Sequence, residues 1–342
     1  MTFAAPLSAA RSRVVKAVRA IRPADQSRHF VFLLLDQFTQ LAFSCAIEPL
    51  RLANHVAGRT LYSWTTCSLG GMPVRASNGI AVLVDGDLGA LGPRDTLVVV
   101  GGQTPRGALD PHLLSWLRRQ MAHGVPLIGI CAATSALAQA GLIRNQRCAV
   151  HWELCDAFAE LHPDVEVVQG TFTLDGVATT AGGTASADLM LHLIGQEHGS
   201  DLASRVADQM IYSGIRGPLA PQTSSLQARY GLRNPLLFAA LRLMEANLAD
   251  PLTLTELAER AGASVRQFER LFQRHLNTSP RQHYLELRLN RAQKLLSQTD
   301  MPITTIALAC GFASPSHFSK KYRAHFGHSA QSHRLVNTAE AA

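Results

Sequence analysis

Leu257-Ala258-x3-Gly262-x5-Phe268-x3-Phe272-x2-His275-Leu276 is followed by a second version of itself, Ile306-Ala307-x3-Gly311-x6-Phe318-x3-Tyr322-x2-His325-Phe326. The offset is 49 residues at Ala258/Ala307 and Gly262/Gly311, and 50 from Ser264/Ser314 onward, so a helical unit is duplicated with one residue added at its turn. Each copy reads as a helix, a tight turn and a second helix. In the first, Thr253 and Glu256 form a capping box ahead of Leu257, and Gly262 supplies the backbone freedom that ends the helix. The second helix opens at Ser264 and buries Phe268, Leu271, Phe272 and Leu276 at helical spacing. In the other copy Ser314 caps, Pro315 takes the first helical position, and Phe318, Tyr322 and Phe326 face inward.

Each second helix then presents an outer stripe: Arg266, Arg270, Gln273 and Arg274 in the first unit, and Ser316, His317, Lys320, Lys321 and Arg323 in the second. Between the units, residues 281–297 form one helical run with Leu285, Leu289, Ala292 and Leu296 on a shared apolar face. A rigid connector of this kind suits two reading helices spaced by roughly 34 Å, one turn of B-DNA, so that one chain reads two adjacent major grooves.

Residues 235–334 resemble the DNA-binding domain of the AraC/XylS family of transcription regulators. The resemblance is carried by Ser264-x-Arg266-x-Phe268-x-Arg270-x-Phe272, by Arg288-x2-Arg291-Ala292-x2-Leu295-Leu296, and by Ile306-Ala307-x3-Gly311-Phe312-x5-Phe318-Ser319-x2-Tyr322. One departure is the closing Ser-Pro, intact as Ser279-Pro280 but replaced by Ser329-Ala330 in the second unit, which predicts a looser turn there. By position, the family's base readout falls on Arg266 and Arg270, and on Ser316 and Lys320. The arginine fork pairs with O6 and N7 of guanine. Gln267 and His317 are further base-contact candidates, although Gln267 also stands where it completes a capping box. Arg274, Lys321 and Arg323 are assigned to phosphate. The rival reading makes these residues solvated helix charges, or clamps that fix register without specifying sequence.

Charge is segregated along the 342 residues: net +5 over 1–28, −3 over 29–233 and +5 over 234–342. The acidic middle is therefore not the nucleic-acid surface. Residues 1–28 hold no apolar run that makes a signal peptide or a membrane span and read as a flexible basic tail. Six scattered cysteines without CxxC spacing point to neither zinc nor a disulfide framework, and fit reduced thiols in cytoplasm. No cofactor and no metal is expected.

Ahead of the duplicated units, strands alternate with helices, which calls for a mainly parallel sheet covered on both faces. Strands are expected at 30–35, 63–69, 96–100 and 125–130, two or three short ones within 165–180, and helices at 40–54, 111–123, 132–140 and 184–198. The strand at 125–130 runs straight into Cys131 and a helix follows at once. Such an elbow lifts one side chain above the sheet edge toward a helix N-terminus, where a thiol is acidified.

The elbow Gly129-Ile130-Cys131, the pair His151-Trp152, and Ala181-Gly182-Gly183 through Asp188 resemble the class I glutamine amidotransferase-like superfamily, in the branch of intracellular proteases and isocyanide hydratases. The domain order is that of the GlxA-type subfamily of AraC regulators. The resemblance implies a flavodoxin-like amidotransferase fold over residues 29–212. Proteolytic members carry His directly after the elbow Cys, and here that residue is Ala132; hydratase-like members carry Asp in a Thr-Gln-Leu-Asp stretch, and here Thr39-Gln40-Leu41 is followed by Ala42. With both activating partners replaced, no catalytic residue is assigned. The retained pocket is expected to bind a small effector through Cys131, Ala132, His151, Trp152, Gly102 and Thr184. Each has a duller reading: Cys131 as a small turn residue, His151 as a helix cap, Trp152 as core, and the glycines as close packing.

The chain is thus expected to be an α/β N-terminal domain with a mainly parallel sheet plus an all-α C-terminal domain with two helix-turn-helix units. A basic tail covers 1–28, an effector-binding and dimerisation domain 29–212, a linker 213–234, the DNA-binding domain 235–334 and a short tail 335–342. The function expected is a transcription regulator, an activator working as a homodimer on double-stranded promoter DNA and contacting RNA polymerase. It would be cytoplasmic, at the nucleoid while bound and without a membrane partner. The resemblance implies an effector such as an amino acid or a betaine, since related regulators answer to arginine, carnitine or glycine betaine. The rival is a thiol-dependent hydratase or amidase with a regulatory DNA-binding tail.

Overall fold

Phe30, Phe32 and Leu34 point to one side of the first strand, and Val31 and Leu33 to the other, and all five are buried. A strand buried on both faces must lie inside a sheet with helices on each side. The computed structural model describes residues 27–92, 94–102, 109–222 and 234–339, in two units divided at Gln222/Thr223. Residues 1–26 of the expected tail at 1–28, the stretch 223–233 of the expected linker and residues 340–342 lie outside the described residues, whereas Arg28, placed in that tail, begins the first strand and is 2% exposed.

The first unit runs β1 (Arg28–Leu34), α1 (Gln40–Ala57), β2 (Tyr62–Cys67), β3 (Val74–Arg75), β4 (Ala81–Val82), β5 (Asp95–Val100), α2 (Pro111–Ala122), β6 (Leu127–Ile130), α3 (Ala133–Gln139), β7 (Arg147–Ala149), α4 (Cys155–Leu161), β8 (Glu166–Val168), β9 (Phe172–Thr173), β10 (Ala178–Thr180), α5 (Ala185–His198) and α6 (Ser200–Gln209). Six strands make the main sheet in the order β2-β1-β5-β6-β10-β9, parallel except for β9 against β10. This is the flavodoxin-like winding, whose order reverses between β1 and β5 and opens a crevice at the carboxyl ends of those strands. Ala42, Phe43, Leu50, Leu189 and Val206 from α1, α5 and α6 pack on one face, while Leu113, Trp116, Leu137 and Phe158 from α2, α3 and α4 pack on the other. Among the short strands expected within 165–180, β8 leaves the main sheet and pairs with β7 instead.

The second unit runs α7 (Pro235–Ala246), α8 (Leu254–Arg260), α9 (Val265–Leu276), α10 (Pro280–Gln298), α11 (Ile303–Ala309), α12 (Pro315–Phe326) and α13 (Ala330–Ala339). The duplication is visible in contacts as well as in sequence. Tyr284 on α10 accepts from the backbone N–H of Leu252 at 3.3 Å, and its counterpart Arg334 on α13 donates to the carbonyl of Met301, the counterpart of Leu252, at 2.7 Å. Three helices are therefore repeated, α8-α9-α10 and α11-α12-α13. Both turns pass through a left-handed glycine, Gly262 at φ +75° and Gly311 at φ +72°.

The turn expected to loosen at Ser329-Ala330 does not. Ser329 Oγ accepts from the N–H of Ser332 at 3.0 Å, as Ser279 Oγ accepts from Gln282 at 3.2 Å. The serine cap carries the turn, and proline at the first helical position adds only pre-organisation. The helix it opens runs to Ala339, past the boundary expected at 334.

Candidate nucleic-acid interface and effector site

α9 and α12 share one construction. Ser264 Oγ caps α9 through the N–H of Gln267 at 3.3 Å, and Ser314 Oγ caps α12 through the N–H of His317 at 3.2 Å. Gln267 returns no side-chain bond to its cap among the described residues, so its amide is open to a partner. Inward, Phe268 and Phe272 of α9 and Phe318 and Tyr322 of α12 are at most 1% exposed. Outward, Arg266, Gln267, Arg270 and Arg274 on α9 and Ser316, His317, Lys320, Lys321 and Arg323 on α12 are all exposed. The apolar anchors fix the rotation of each helix, and the polar stripes follow from helical periodicity.

The arginines of the connector motif have a different duty. Arg288 on α10 donates from Nε to the Cys310 carbonyl at 2.8 Å and from Nη2 to the Gly311 carbonyl at 2.5 Å, and lies over the Phe312 ring at 4.3 Å. Arg291 Nη1 donates to the Ala309 carbonyl at 2.8 Å. These carbonyls lie at the end of α11, where helical carbonyls run out of helical donors, and α10 fastens the second helix-turn-helix unit by donating to them.

In the α/β unit, Cys131 sits at the end of β6 with φ +59°, the strained left-handed geometry of an elbow residue. Its Sγ lies 3.9 Å from Thr39 Oγ1 and 3.9 Å from the carbonyl of Gly102. The thiol is not the acidified, open group expected of an elbow. Cys131 is 6% exposed, and burial pushes its pKa up, against hydrogen bonds from the Ala132 backbone and the Thr39 hydroxyl and with the Glu153 carboxylate adding to the rise. Gly182 closes over it, since a Cβ there would fall 2.6 Å from that of Cys131. Ala132 is 3% exposed. Desolvation outweighs the helix N-terminus because a thiolate needs water or a cation more than it needs a partial dipole charge.

The other effector-site candidates are His151 and Trp152, which lie together, and Thr184. His151 Nδ1 accepts from the N–H of Glu153 at 3.3 Å, and its ring packs on Trp152 at 5.5 Å between centroids. Trp152 is 46% exposed, a wall open to solvent and not the core residue of its duller reading. Thr184, exposed ahead of α5, accepts from Arg216 Nη2 at 2.8 Å on its hydroxyl. Sequence reasoning missed Arg216, Tyr212 and Gln222, because they lie in a stretch rich in glycine and proline without periodicity. They surround the fully buried Asp188 and the Trp152 backbone.

Among the described residues no cluster of His, Cys, Asp or Glu has metal-ligating geometry, and no helix is long and apolar enough to cross a membrane. Residues 28–196 match the DJ-1/PfpI family, and residues 257–335 match a helix-turn-helix domain family. The HTH-type transcriptional regulator CdhR of Pseudomonas aeruginosa is 46% identical, over 91% of this chain and 92% of its own length. The HTH-type transcriptional regulator GbdR of the same species is 43% identical, over 86% of this chain and 81% of its own. The crystal structure of an AraC family transcriptional regulator from Pseudomonas putida is 28% identical, covers 54% of this chain and 99% of that one, and has a TM-score of 0.47.

Proposed function

The chain belongs to the HTH-type transcriptional regulators that place a DJ-1/PfpI domain ahead of an AraC-type DNA-binding domain, and on that premise we propose how it reads DNA and what it answers to. Its relatives CdhR and GbdR, matched over 91% and 86% of its length, are named as regulators and not as enzymes. The α/β unit accordingly serves as a sensor in which the fold of an enzyme has been kept without its chemistry.

α9 and α12 enter successive major grooves of promoter DNA. Arg266 and Arg270 take guanine edges, with Gln267, Ser316, His317 and Lys320 completing base contact, while Arg274, Lys321 and Arg323 hold phosphates. One observation supports this above the others: two capped helices of matching construction bury their aromatic faces and leave these nine side chains exposed. A small nitrogenous metabolite, an amino acid or a betaine, binds at the carboxyl edge of the sheet near Trp152 and Thr184. The open indole face suits a quaternary ammonium. The protein acts as a homodimeric activator that contacts RNA polymerase when the ligand favours the arrangement able to occupy paired sites.

The test is selection of duplexes from a random pool by the full chain, followed by titration of glycine betaine, carnitine and arginine into the protein bound to the selected site. Enrichment of two half-sites about one helical turn apart, with affinity that moves on addition of one of these compounds, is the expected result. Failure to enrich any sequence at modest salt overturns the readout. A selected site whose affinity ignores all three compounds overturns the effector class.

A further inference from the structure

Residues 213–222 fall where the sequence suggests a linker, yet together with Tyr212 they are fastened to the α/β unit along their length. Arg216 donates to Asp188 Oδ2 from Nε at 2.8 Å and from Nη2 at 2.7 Å, and its backbone N–H donates to Oδ1 at 2.7 Å. The Tyr212 hydroxyl donates to the same Oδ1 at 3.0 Å. Asp188 is 0% exposed, so a buried carboxylate draws its counter-charge from this segment and from none of its own helix. The Thr171 hydroxyl donates to the carbonyl of Gly217 at 2.7 Å, and Gly170 bridges to Pro221. The fit there is close: a Cβ on Gly170 would fall 2.2 Å from the Pro218 carbonyl oxygen.

The far end is held by one amide. Gln222 Nε2 donates to the carbonyls of Val150 at 2.9 Å and Gly170 at 2.8 Å, and its Oε1 accepts from the N–H of Trp152 at 2.8 Å. Both pins thus land on candidates for the effector site, since Arg216 Nη2 also donates to Thr184 Oγ1 at 2.8 Å. The segment leaves α6 through Ile211, a β-branched residue at φ +53° that is 94% exposed. That backbone is strained, and no burial of the side chain compensates it.

We propose that residues 212–222 are a coupling strap that restrains the DNA-binding unit while docked, pinned by Arg216 on Asp188 and Thr184 and by Gln222 on Trp152, and undocked by a ligand that engages Thr184 or Trp152. The last clause rests on the effector reading above; the restraint itself does not. Its physical basis is tether length. With the strap docked, only residues 223–233 separate Gln222 from Asn234, the cap of α7. A stretch of eleven residues spans at most about 37 Å, at about 3.4 Å per residue, and release of the strap doubles that upper bound. A longer connection lets the DNA-binding units of two copies settle on paired sites that a shorter one keeps out of reach.

The experiment uses the full chain without ligand, and a duplex carrying the paired sites that the wild type selects. Gln222→Ala removes a pin without unburying a charge, and Arg216→Lys keeps the charge beside Asp188 but loses the fork. Each is expected to speed amide hydrogen exchange at Trp152 and at position 216, whose N–H groups are held across the strap contact, at least tenfold, to raise affinity for the duplex at least fivefold, and to keep cooperative thermal unfolding. Unchanged exchange, or faster exchange with affinity within twofold of wild type, overturns the strap. Glycine betaine, carnitine and arginine are then added to the wild type. If none moves exchange or affinity while the variants gain affinity, the strap stands and the effector class falls. If one of them raises wild-type affinity while the variants behave as wild type without it, the effector reading stands and the strap falls.

Discussion

Arg266 and Arg274 lie eight residues apart on one helix, both exposed and both cationic, and the distinction between them is one of reach. Arg266 is in the first turn after the cap, the part of the helix proposed above to meet base edges, whereas Arg274 is in the last turn, which the same proposal sets beside a phosphate. Arg266→Ala should cost about 1–3 kcal/mol on the selected site and relax preference at one base pair. Arg274→Ala should weaken every sequence alike and lower the salt slope by about one. Titrations on selected and scrambled duplexes at several salt concentrations measure both, and equal losses on the two duplexes for Arg266→Ala would remove it from base readout. A second residue-scale case is Ile211. Its left-handed backbone costs about 1 kcal/mol, which glycine does not incur. Ile211→Gly should stabilise the α/β unit by up to about 1 kcal/mol in denaturant unfolding, and Ile211→Ala, which keeps the Cβ, should bring no such gain.

At the scale of the element, the recognition helices depend on supports that never touch DNA. Ser264→Ala removes the acceptor for the Gln267 N–H and should cost about 1 kcal/mol of the stability of the C-terminal unit. Arg288→Met is the sharper test, because it leaves the carbonyls of Cys310 and Gly311 without their donor beneath the second unit. A loss of about 1–3 kcal/mol is expected, with DNA affinity falling through α12 and not α9. Urea unfolding read beside binding to single half-sites checks this, and equal weakening at both half-sites would show that α10 supports the pair as one body. These elements were legible in the sequence because caps, glycine turns and apolar periodicity are local signals: Thr253 with Glu256, Gly262, and Phe268 with Phe272 need no distant partner. The short strand β7 was not legible. Its three residues become a strand only by pairing with β8, nineteen positions on, between Arg147 and Glu166.

Across the whole molecule, His162 and His198 in the α/β unit and His283 in the DNA-binding unit have pKa values below the usual 6.5, each held down chiefly by burial. Their protonation is easier in the unfolded chain, which therefore binds more protons as pH falls below about 6.5. The stability associated with these neutral histidines is complete above that pH and is lost progressively below it. Thermal unfolding of both units should shift to lower temperature between pH 7.5 and 5.5, and His283→Gln should flatten the shift for the C-terminal unit alone. An unchanged shift in that variant would mean that other groups carry the acid response of the unit.

The sequence by itself determined that there are two units, that the second is a duplication, and which stripe of each reading helix faces outward. Those facts are written in periods of two and 3.6 and in caps a few residues long. Only the tertiary structure decided that the elbow thiol of Cys131 is closed over by Gly182, and that the expected linker is bolted down as far as Gln222. Both outcomes depend on groups far apart along the chain, Asp188 with Arg216 and Val150 with Gln222, and on the burial that comes with their meeting. Desolvation and ion pairing are properties of a three-dimensional neighbourhood, and no local pattern of residues encodes them.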